Sequence, residues 1–288
     1  MLGESRSGGG VMGCDGHRSS WKCWGQNVTW GPVEDNSLWT SGRRKVSRAA
    51  MQKDTIFKAK QKRGARFEFN DQVAAVFDDM VSRSIPFYHE IHRMMLDLMA
   101  HTLKDGDRVY DLGCSLGTTL TLVNDFAHEN RLKNVQLIGV DSSPSMVERA
   151  SERFADRGVD GELICAPIQD LELEKCGVVI MNYTLQFIPV KDRKALVKKI
   201  YKSLRPGGIF ILSEKIKSPN PAVQGLITEM YYDFKRRNGY SEMEIAQKRQ
   251  ALEDVLIPWT ADKQLEHLRE CGFKKCETLF RWYNFASS

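Results

Sequence analysis

The chain has 288 residues, of which 42% are hydrophobic and 27% charged, and its formal net charge at pH 7 is +5. This composition is typical of a globular protein with room for one large α/β domain or two small ones. So mild a positive charge gives little support to a nucleic-acid-binding protein, although it permits acidic small-molecule substrates.

The seven cysteines are scattered along the chain and form no CxxC pair. This spacing signals neither a zinc site nor a disulfide framework, so we expect no metal and a reducing, cytoplasmic location. No apolar run approaches the roughly 18 residues of a membrane span. No charged-then-apolar leader begins the sequence, so neither a signal peptide nor membrane association is expected.

Residues 1–50 differ in character from the remainder of the chain. They hold four of the six tryptophans (Trp21, Trp24, Trp30, Trp39) and a triple glycine, yet they show no period of 2 or 3.6. Disordered segments are normally poor in aromatic residues, whereas folded ones show a pattern. We favour translated upstream sequence, with Met51 as the true start; a natural unstructured tail and a functional tryptophan-rich arm are the alternatives. The folded domain is predicted to span residues 51–288.

Beyond Met51, strands and helices alternate. A helical pattern at 71–103, broken at Pro86, comes first. The predicted strands are DRVYDLG (107–113), NVQLIGVD (134–141), GELICAPIQD (161–170), CGVVIMNYTLQF (176–187) and IFILSEK (209–215). The predicted helices between them are GTTLTLVNDFAHEN (117–130), SPSMVERASERFADRG (143–158, with Ser142 or Ser143 as N-cap) and KDRKALVKKIYKSLRPGG (191–208).

This alternation predicts a doubly wound α/β fold, with a mostly parallel sheet covered by helices on both faces. A polar helical segment at about 219–257 interrupts the alternation and is a candidate lid or dimer element. Residues 271–285 return to a strand-like pattern and are predicted to form a terminal antiparallel pair, giving a seven-stranded sheet.

The first chemical signal is DLGCSLG, in which Asp111, Gly113, Ser115 and Gly117 follow the first strand of the sheet. Ligands of doubly wound sheets bind at this edge, where glycines allow close approach and a helix N-terminus presents free N–H groups. The pattern is D-x-G-x-x-x-G rather than GxGxxG, and no lysine follows to make it a P-loop. A simple tight turn is the alternative interpretation.

The second signal is Asp141, which ends the next strand 24 residues beyond Gly117. An acid at this position can accept hydrogen bonds from ribose hydroxyls. It could instead cap the following helix, but Ser142 and Ser143 are better placed to do so. Asn182, at the end of the fourth strand, is a further polar group at this edge, or alternatively a solvated turn residue. Together these features resemble class I S-adenosylmethionine-dependent methyltransferases more than NAD-dependent dehydrogenases.

The third signal is a basic stretch, DFKRRNGYSEMEIAQKRQALEDVL (233–256). Most of its charges are explained by a solvated helix with i,i+4 pairs such as Glu244–Lys248. One or two of the cations could instead face the site and bind a carboxylate, a role for which the guanidinium of arginine is well shaped.

Several longer stretches make the chain similar to the carboxy-S-adenosyl-L-methionine synthase family over about residues 51–285. They are DQVAAVFDDMVSRSIPFY, VYDLGCSLG, NYTLQF, LRPGG, LSEK, DFKRRNGYSEMEIAQKR and the six residues 141–146. The resemblance implies a methyltransferase-like sheet, usually in a homodimer. The implied reaction converts S-adenosyl-L-methionine and prephenate to carboxy-S-adenosyl-L-methionine and phenylpyruvate. The product would serve a partner enzyme that carboxymethylates 5-hydroxyuridine at the wobble position of tRNA.

The resemblance also implies which residues bind S-adenosyl-L-methionine. Tyr88 would close over the ligand, Asp141 would hold the ribose, and Arg249 would pair with the new carboxylate and so act in catalysis, within one chain or across a dimer. The implied binding residues are Tyr88, Gly113, Cys114, Ser115, Asp141, Ser142, Pro167, Ile168, Asn182 and Arg249. Pro167 departs from the family, which usually has an aspartate there to accept a hydrogen bond from the adenine amino group.

Two other functions remain open from the residues alone. One is an ordinary methyltransferase acting on a small molecule or tRNA, although no acceptor pocket or general base near Asn182 is evident. The other is a non-catalytic binding protein, to which the change at Pro167 gives some weight. The mild charge does not favour direct binding of tRNA.

Overall fold

The structure is a computed structural model that describes residues 52–60 and 66–288, together with the backbone of two short strands nearer the N-terminus. The chain divides into two units, Met1–Ala49 and Ala50–Ser288. In the first unit, strand β1 (Trp21–Cys23) pairs antiparallel with β2 (Gln26–Val28). The interpretation of residues 1–50 otherwise lies outside the described residues, so it stays a prediction.

A seven-stranded sheet forms the centre of the second unit, in the order β5-β4-β3-β6-β7-β9-β8. All neighbouring strands are parallel except β9, which runs antiparallel to both β7 and β8. The strands are β3 (Arg108–Leu112), β4 (Gln136–Asp141), β5 (Gly161–Cys165), β6 (Cys176–Asn182), β7 (Leu204–Lys215), β8 (Phe280–Trp282) and β9 (Phe285–Ser287). The predicted fold class is confirmed.

The helices follow the predicted order, and polar side chains cap the N-termini of five of them. Asn70 caps α1, and Ser143 rather than Ser142 caps α4, whose first turn contains Pro144. The predicted break at Pro86 separates α1 from α2. The helices are α1 (Asp71–Ser84), α2 (Tyr88–Ala100), α3 (Thr118–Glu129), α4 (Pro144–Arg157), α5 (Val190–Ser203), α6 (Pro221–Arg237), α7 (Glu242–Leu252) and α8 (Ala261–Glu270), with a 3-10 turn at Leu185–Phe187.

Strand β6 shows why the sheet must be covered on both faces. Its side chains alternate between two apolar clusters, with Val179 and Met181 in one and Val178 and Ile180 in the other. All four are fully buried. A central parallel strand that buries both faces reads as a continuous apolar run, which is how this strand appears in the sequence.

Three predicted boundaries were wrong. The strand predicted at 176–187 ends at Asn182, and Leu185–Phe187 form a 3-10 turn instead. Helix α5 ends at Ser203, and Pro206-Gly207-Gly208 lie within β7 instead of ending the helix. Cys176 pairs with Leu204 and Val178 with Ile209, so residues 205–208 bulge out opposite one residue of β6. At the C-terminus, strand structure was predicted from residue 271 but begins only at Phe280. The last strand, β9, is short, and all three of its residues pair with β7.

The predicted helical insert forms α6 and α7. Polar side chains from this insert contact Asp54, near the start of the domain. The Tyr240 hydroxyl donates to Asp54 Oδ2 at 2.7 Å, and Lys248 Nζ lies 4.0 Å from the same oxygen. Lys248 also donates to Ser84 Oγ of α1 at 3.2 Å. The expected surface pair Glu244–Lys248 is therefore wrong, because Glu244 instead forms a capping box with Ser241.

Candidate active site

The turn after β3 has the backbone geometry that its glycines predict. Gly113 has φ 86° and Gly117 has φ 70°, and a Cβ on Gly113 would clash with the side chain of Thr184. The N–H groups of Gly113 and Cys114 donate to the Val140 carbonyl at 2.7 and 3.0 Å. These two N–H groups therefore join β3 to β4 and are not free to bind a ligand.

Asp141 stands at the end of β4 beside this turn. Its two oxygens accept the backbone N–H groups of Ser115 and Ser143, each at 2.9 Å. Burial raises the pKa of the Asp141 carboxyl, and these backbone donors oppose the rise. A carboxylate offers about four acceptor positions, so Asp141 still has capacity for ribose hydroxyls.

Asp111 and Asn182 present unpartnered acceptors at the ends of β3 and β6. Within the described part of the chain, Asp111 Oδ1 and Asn182 Oδ1 are buried and have no hydrogen-bond partner. Burial, with the charge of Asp141, raises the pKa of Asp111 to about 7. Buried acceptors without partners are costly, so these oxygens indicate a ligand with donor groups. Asp111 belongs to the predicted motif but not to the binding residues implied by the resemblance.

These groups surround one cavity of about 520 Å³ at the carboxyl edge of the sheet. Its size falls within the roughly 300–1,000 Å³ of small-molecule sites. The structure brings together nine of the ten predicted residues as lining of this cavity: Tyr88, Gly113, Cys114, Ser115, Asp141, Ser142, Pro167, Ile168 and Asn182. The resemblance therefore names nine of the residues that line this cavity, and their role in binding a ligand stays a prediction.

The positions of the lining residues follow the strand order. Pro167 and Ile168 come after β5, Asp141 ends β4, Asp111 lies in β3 and Asn182 ends β6. Because the strands are neighbours in that order, the cavity has an apolar end beyond β5 and successive polar acceptors toward β6. This arrangement matches an elongated nucleoside with a polar chain.

Cys114 and Tyr88 serve as neutral walls of the cavity. Burial, with the nearby carboxyls of Asp111 and Asp141, raises the pKa of the Cys114 thiol. Burial likewise raises the pKa of Tyr88, whose ring packs edge-on against His92 at 4.6 Å between centroids. A thiol with a raised pKa is not an activated nucleophile, so Cys114 contributes shape rather than chemistry.

An aromatic cover over the cavity was missed by sequence reasoning. Phe69, in the segment before α1, packs edge-on against Phe187 at 5.2 Å and against Phe67 at 5.1 Å. Both Phe67 and Phe69 line the cavity, as does Gln169 after β5. The alternating phenylalanines of RFEFN were the available signal, but nothing in the sequence showed that this segment folds back over the sheet.

Arg249, the tenth predicted residue, lies at a second cavity of about 330 Å³. It is exposed and, among residues 52–60 and 66–288, forms no ion pair or side-chain hydrogen bond. The two cavities adjoin, since they share the lining residues Lys215, Tyr231, Lys248, Leu252 and Leu256. A single chain therefore places Arg249 beside the first cavity, and its role at the ligand stays a prediction.

Comparison with known proteins decides the family. A family described as "Methyltransferase domain" matches residues 109–208. The carboxy-S-adenosyl-L-methionine synthase of Citrifermentans bemidjiense is 47% identical over 238 residues, covering 81% of this chain and 96% of that protein. The chain belongs to the carboxy-S-adenosyl-L-methionine synthase family. The synthase of Nautilia profundicola is 43% identical, covering 77% of this chain and 93% of that protein.

Solved structures of similar fold include methyltransferases. The apo form of SibL, an S-adenosylmethionine-dependent methyltransferase, matches with a TM-score of 0.50 at 14% identity, over 75% of this chain and 57% of that one. So low an identity shows the fold alone. Family membership favours the synthase over an ordinary methyltransferase or a non-catalytic binding protein.

The described residues hold neither a candidate metal site nor a membrane-spanning helix. Among them, no group of three or more His, Cys, Asp or Glu side chains is placed to hold a metal ion. None of the helices in that part of the chain is both long and apolar enough to cross a membrane.

Proposed function

We propose that this protein binds S-adenosyl-L-methionine along the carboxyl edge of its sheet and converts it, with prephenate, to carboxy-S-adenosyl-L-methionine and phenylpyruvate. The observation that carries the proposal is that nine of the ten residues implied by the family line one cavity. Their chemistry fits the ligand, because Asp141 has spare acceptor positions and Asp111 and Asn182 have unpartnered acceptors.

The strand order suggests how S-adenosyl-L-methionine would lie. Adenine would pack against Pro167 and Ile168, and the ribose hydroxyls would donate to Asp141. The donors of the methionine part would reach Asp111 and Asn182. Because Pro167 supplies no side-chain acceptor, we propose that the side-chain amide of Gln169, which also lines the cavity, accepts from the adenine amino group.

The proposed reaction balances without an added oxidant or metal. In prephenate, the bond from the ring to its carboxyl group and the ring C–OH bond break, which leaves aromatic phenylpyruvate. The methyl carbon of S-adenosyl-L-methionine loses a proton and bonds to the released carboxyl carbon. The proton leaves with the hydroxyl group as water. The aromatic cover of Phe67, Phe69 and Phe187 would limit the access of bulk water to the carbanion.

Arg249 would pair with the new carboxylate in this proposal. A sulfonium methyl needs no cation beside it, whereas a carboxymethyl group does. Because Arg249 is exposed at the neighbouring cavity, this contact would come from a partner copy or from a movement of α7. A homodimer is also supported by α6, whose Val223, Leu226 and Met230 are exposed at helical spacing.

The wider setting is also part of the proposal. The product would pass to an enzyme that carboxymethylates the wobble uridine of tRNA in the cytoplasm. This protein itself would not need to bind tRNA, consistent with its net charge of +5.

The test is to incubate the purified protein with S-adenosyl-L-methionine and prephenate and to quantify both products by mass spectrometry. We expect carboxy-S-adenosyl-L-methionine and phenylpyruvate in equal amounts, and neither when one substrate is omitted. If neither product forms and a methyl group is transferred to an added acceptor, the protein is an ordinary methyltransferase instead.

A further inference from the structure

Three lysines lie at the wall between the two cavities and have no role in the site described above. Lys248 is 7% exposed and Lys235 is 4% exposed, while Lys215 at the end of β7 is half-buried. Lys215 and Lys248 line both cavities, and Lys235 lines the second one with Arg249. Lysine is rarely buried as fully as Lys235 and Lys248 unless it is paired, so these two beside a third lysine require an explanation.

The rings of two tyrosines hold the three ammonium groups together. Lys215 Nζ lies 4.9 Å and Lys235 Nζ 5.7 Å from the centroid of the Tyr231 ring. Lys235 Nζ lies 5.2 Å and Lys248 Nζ 5.7 Å from the centroid of the Tyr240 ring. Tyr231 is fixed by its hydroxyl, which donates to the Ser84 carbonyl at 3.0 Å. The cluster is therefore part of the packed structure.

The acids around this cluster do not neutralise it. Lys248 Nζ is 4.0 Å from Asp54, which already accepts a hydrogen bond from Tyr240. Glu244 is engaged with Ser241, and Glu253 at the rim of the second cavity is exposed. Within residues 52–60 and 66–288, the ammonium groups of Lys215 and Lys235 have no hydrogen-bond acceptor and no carboxylate within 4.0 Å.

The electrostatic cost of this arrangement is visible in the lysine pKa values. Burial, with the charges of Lys248 and Lys215, lowers the pKa of Lys235 to about 7. Burial lowers the pKa of Lys215 to about 8 and, despite the nearby Asp54, that of Lys248 to about 8. An anion bound among them would offset this cost.

We propose that Lys215, Lys235 and Lys248 form an anion subsite that binds the two carboxylates of the carboxyl donor beside the reacting end of the S-adenosyl-L-methionine cavity. The strand order places the subsite there, because β7 follows β6 along the edge that runs from Asp141 to Asn182. The inference rests on the proposed function for the identity of the donor, prephenate, which is a dianion. The subsite orients that dianion across the shared wall, with Tyr231 against its ring.

The test uses equilibrium binding, so that it does not depend on turnover. Protein saturated with S-adenosylhomocysteine, which has no methyl group to react, is titrated calorimetrically with prephenate and separately with the monoanion phenylpyruvate. The variants are Lys235→Met, Lys215→Met and, as matched control, Lys263→Met. Lys263 is an exposed lysine whose Nζ lies 4.9 Å from the Trp259 ring centroid and which lines neither cavity.

We expect wild type and Lys263→Met to bind prephenate at least tenfold more tightly than phenylpyruvate. Lys235→Met and Lys215→Met should each weaken prephenate binding at least tenfold and change the affinity for S-adenosylhomocysteine less than twofold. Lys235→Arg should retain most of the prephenate affinity. Since Lys215 is half-buried, its variant tests the subsite even if a substitution at Lys235 prevents folding.

Prephenate binding that is unaffected by both methionine variants, or no preference for the dianion in wild type, would overturn the subsite. Turnover is measured in parallel with S-adenosyl-L-methionine. Lysine-dependent binding without carboxylated product would leave the subsite standing and refute the proposed function. Formation of the carboxylated product, with prephenate binding that does not depend on the lysines, would support the proposed function and refute the subsite.

Discussion

The Asp141 carboxylate accepts the backbone N–H of Ser115 at 2.9 Å and thereby joins the end of β4 to the turn after β3. Its other oxygen accepts from the N–H of Ser143 at the same distance. Asp141 also lines the cavity, and a carboxylate offers about four acceptor positions, so it keeps capacity for a further donor. One side chain thus fixes the turn that shapes the cavity and, in the proposed function, would also accept from the ribose hydroxyls.

Replacing Asp141 by leucine should therefore weaken nucleoside binding. Losing hydrogen bonds to a charged acceptor costs roughly 1.5–3 kcal/mol, which corresponds to about tenfold or more in Kd. The measurement is calorimetric titration with S-adenosylhomocysteine. Asp125→Leu is the control, because Asp125 is paired with Arg157 on the surface. Equal affinities for wild type and Asp141→Leu would remove Asp141 from the ribose site.

Restoring an acceptor at Pro167 should tighten binding. Pro167 lines the cavity beyond β5, where we propose that adenine packs, but it has no side-chain acceptor. Pro167→Asp would add one for the adenine amino group, and a net gain of about 0.5–1.5 kcal/mol corresponds to roughly two- to tenfold tighter binding. Pro167→Leu, which adds no acceptor, should bring no such gain. If the aspartate variant binds S-adenosylhomocysteine no better than wild type, another group such as Gln169 already serves the amino group.

The part of the cavity at the ends of β3, β4 and β6 was predictable because its residues are marked locally. A strand, a glycine turn and an acid at the next strand end are all short-range patterns, and each is set by backbone geometry. Gly113 and Asp141 needed only the expectation that neighbouring parallel strands end at one edge. Family resemblance added Tyr88 and Ile168, which no local pattern marks.

The lysine subsite was not predictable from the sequence. Lys235 and Lys248 lie on helices with a strongly polar pattern, which is typical of a solvated face. Their burial depends on Tyr231, Tyr240 and the segment around Asp54 packing against them, and the Tyr240–Asp54 hydrogen bond alone joins residues 186 positions apart. The predicted C-terminus of α5 at Pro206-Gly207-Gly208 was wrong for a related reason. Leu204 pairs with Cys176 of β6, so the strand begins before the proline.

His92 should make stability depend on pH. Nδ1 of its ring lies 2.9 Å from the Tyr88 carbonyl and Nε2 lies 3.3 Å from Thr119 Oγ1, and burial lowers its pKa to about 4. The unfolded chain, with a histidine pKa of about 6.5, takes up the proton first. Keeping His92 neutral therefore adds no cost to folding above pH 6.5. As pH falls from 6.5 toward 4, protonation favours the unfolded chain and the free energy of unfolding decreases. From pH 7 to 5 the loss is about 2 kcal/mol.

The measurement is urea unfolding of wild type and His92→Gln at pH 7 and pH 5. The variant lacks the titrating group, so its loss of stability between the two pH values should be smaller by about that amount. His128→Gln, a change at an exposed position, should behave as wild type. Identical pH dependence in wild type and His92→Gln would contradict the neutral, buried state of His92.

Arg249 should distinguish the carboxylated product from S-adenosyl-L-methionine. If it pairs with the new carboxylate, Arg249→Ala should weaken binding of carboxy-S-adenosyl-L-methionine by about tenfold or more and leave the affinity for S-adenosyl-L-methionine nearly unchanged. Arg237→Ala is the control, since Arg237 is exposed on α6 and lines neither cavity. Equal losses for both ligands would assign Arg249 a structural role.

The most direct measurement follows the carboxyl group itself. Prephenate labelled with carbon-13 in its ring carboxyl group is incubated with the protein and unlabelled S-adenosyl-L-methionine, and the nucleoside products are analysed by mass spectrometry. The proposed function predicts carboxy-S-adenosyl-L-methionine that carries the label at its new carboxylate, with phenylpyruvate left unlabelled. A carboxylated product without the label, or no carboxylated product at all, would contradict it.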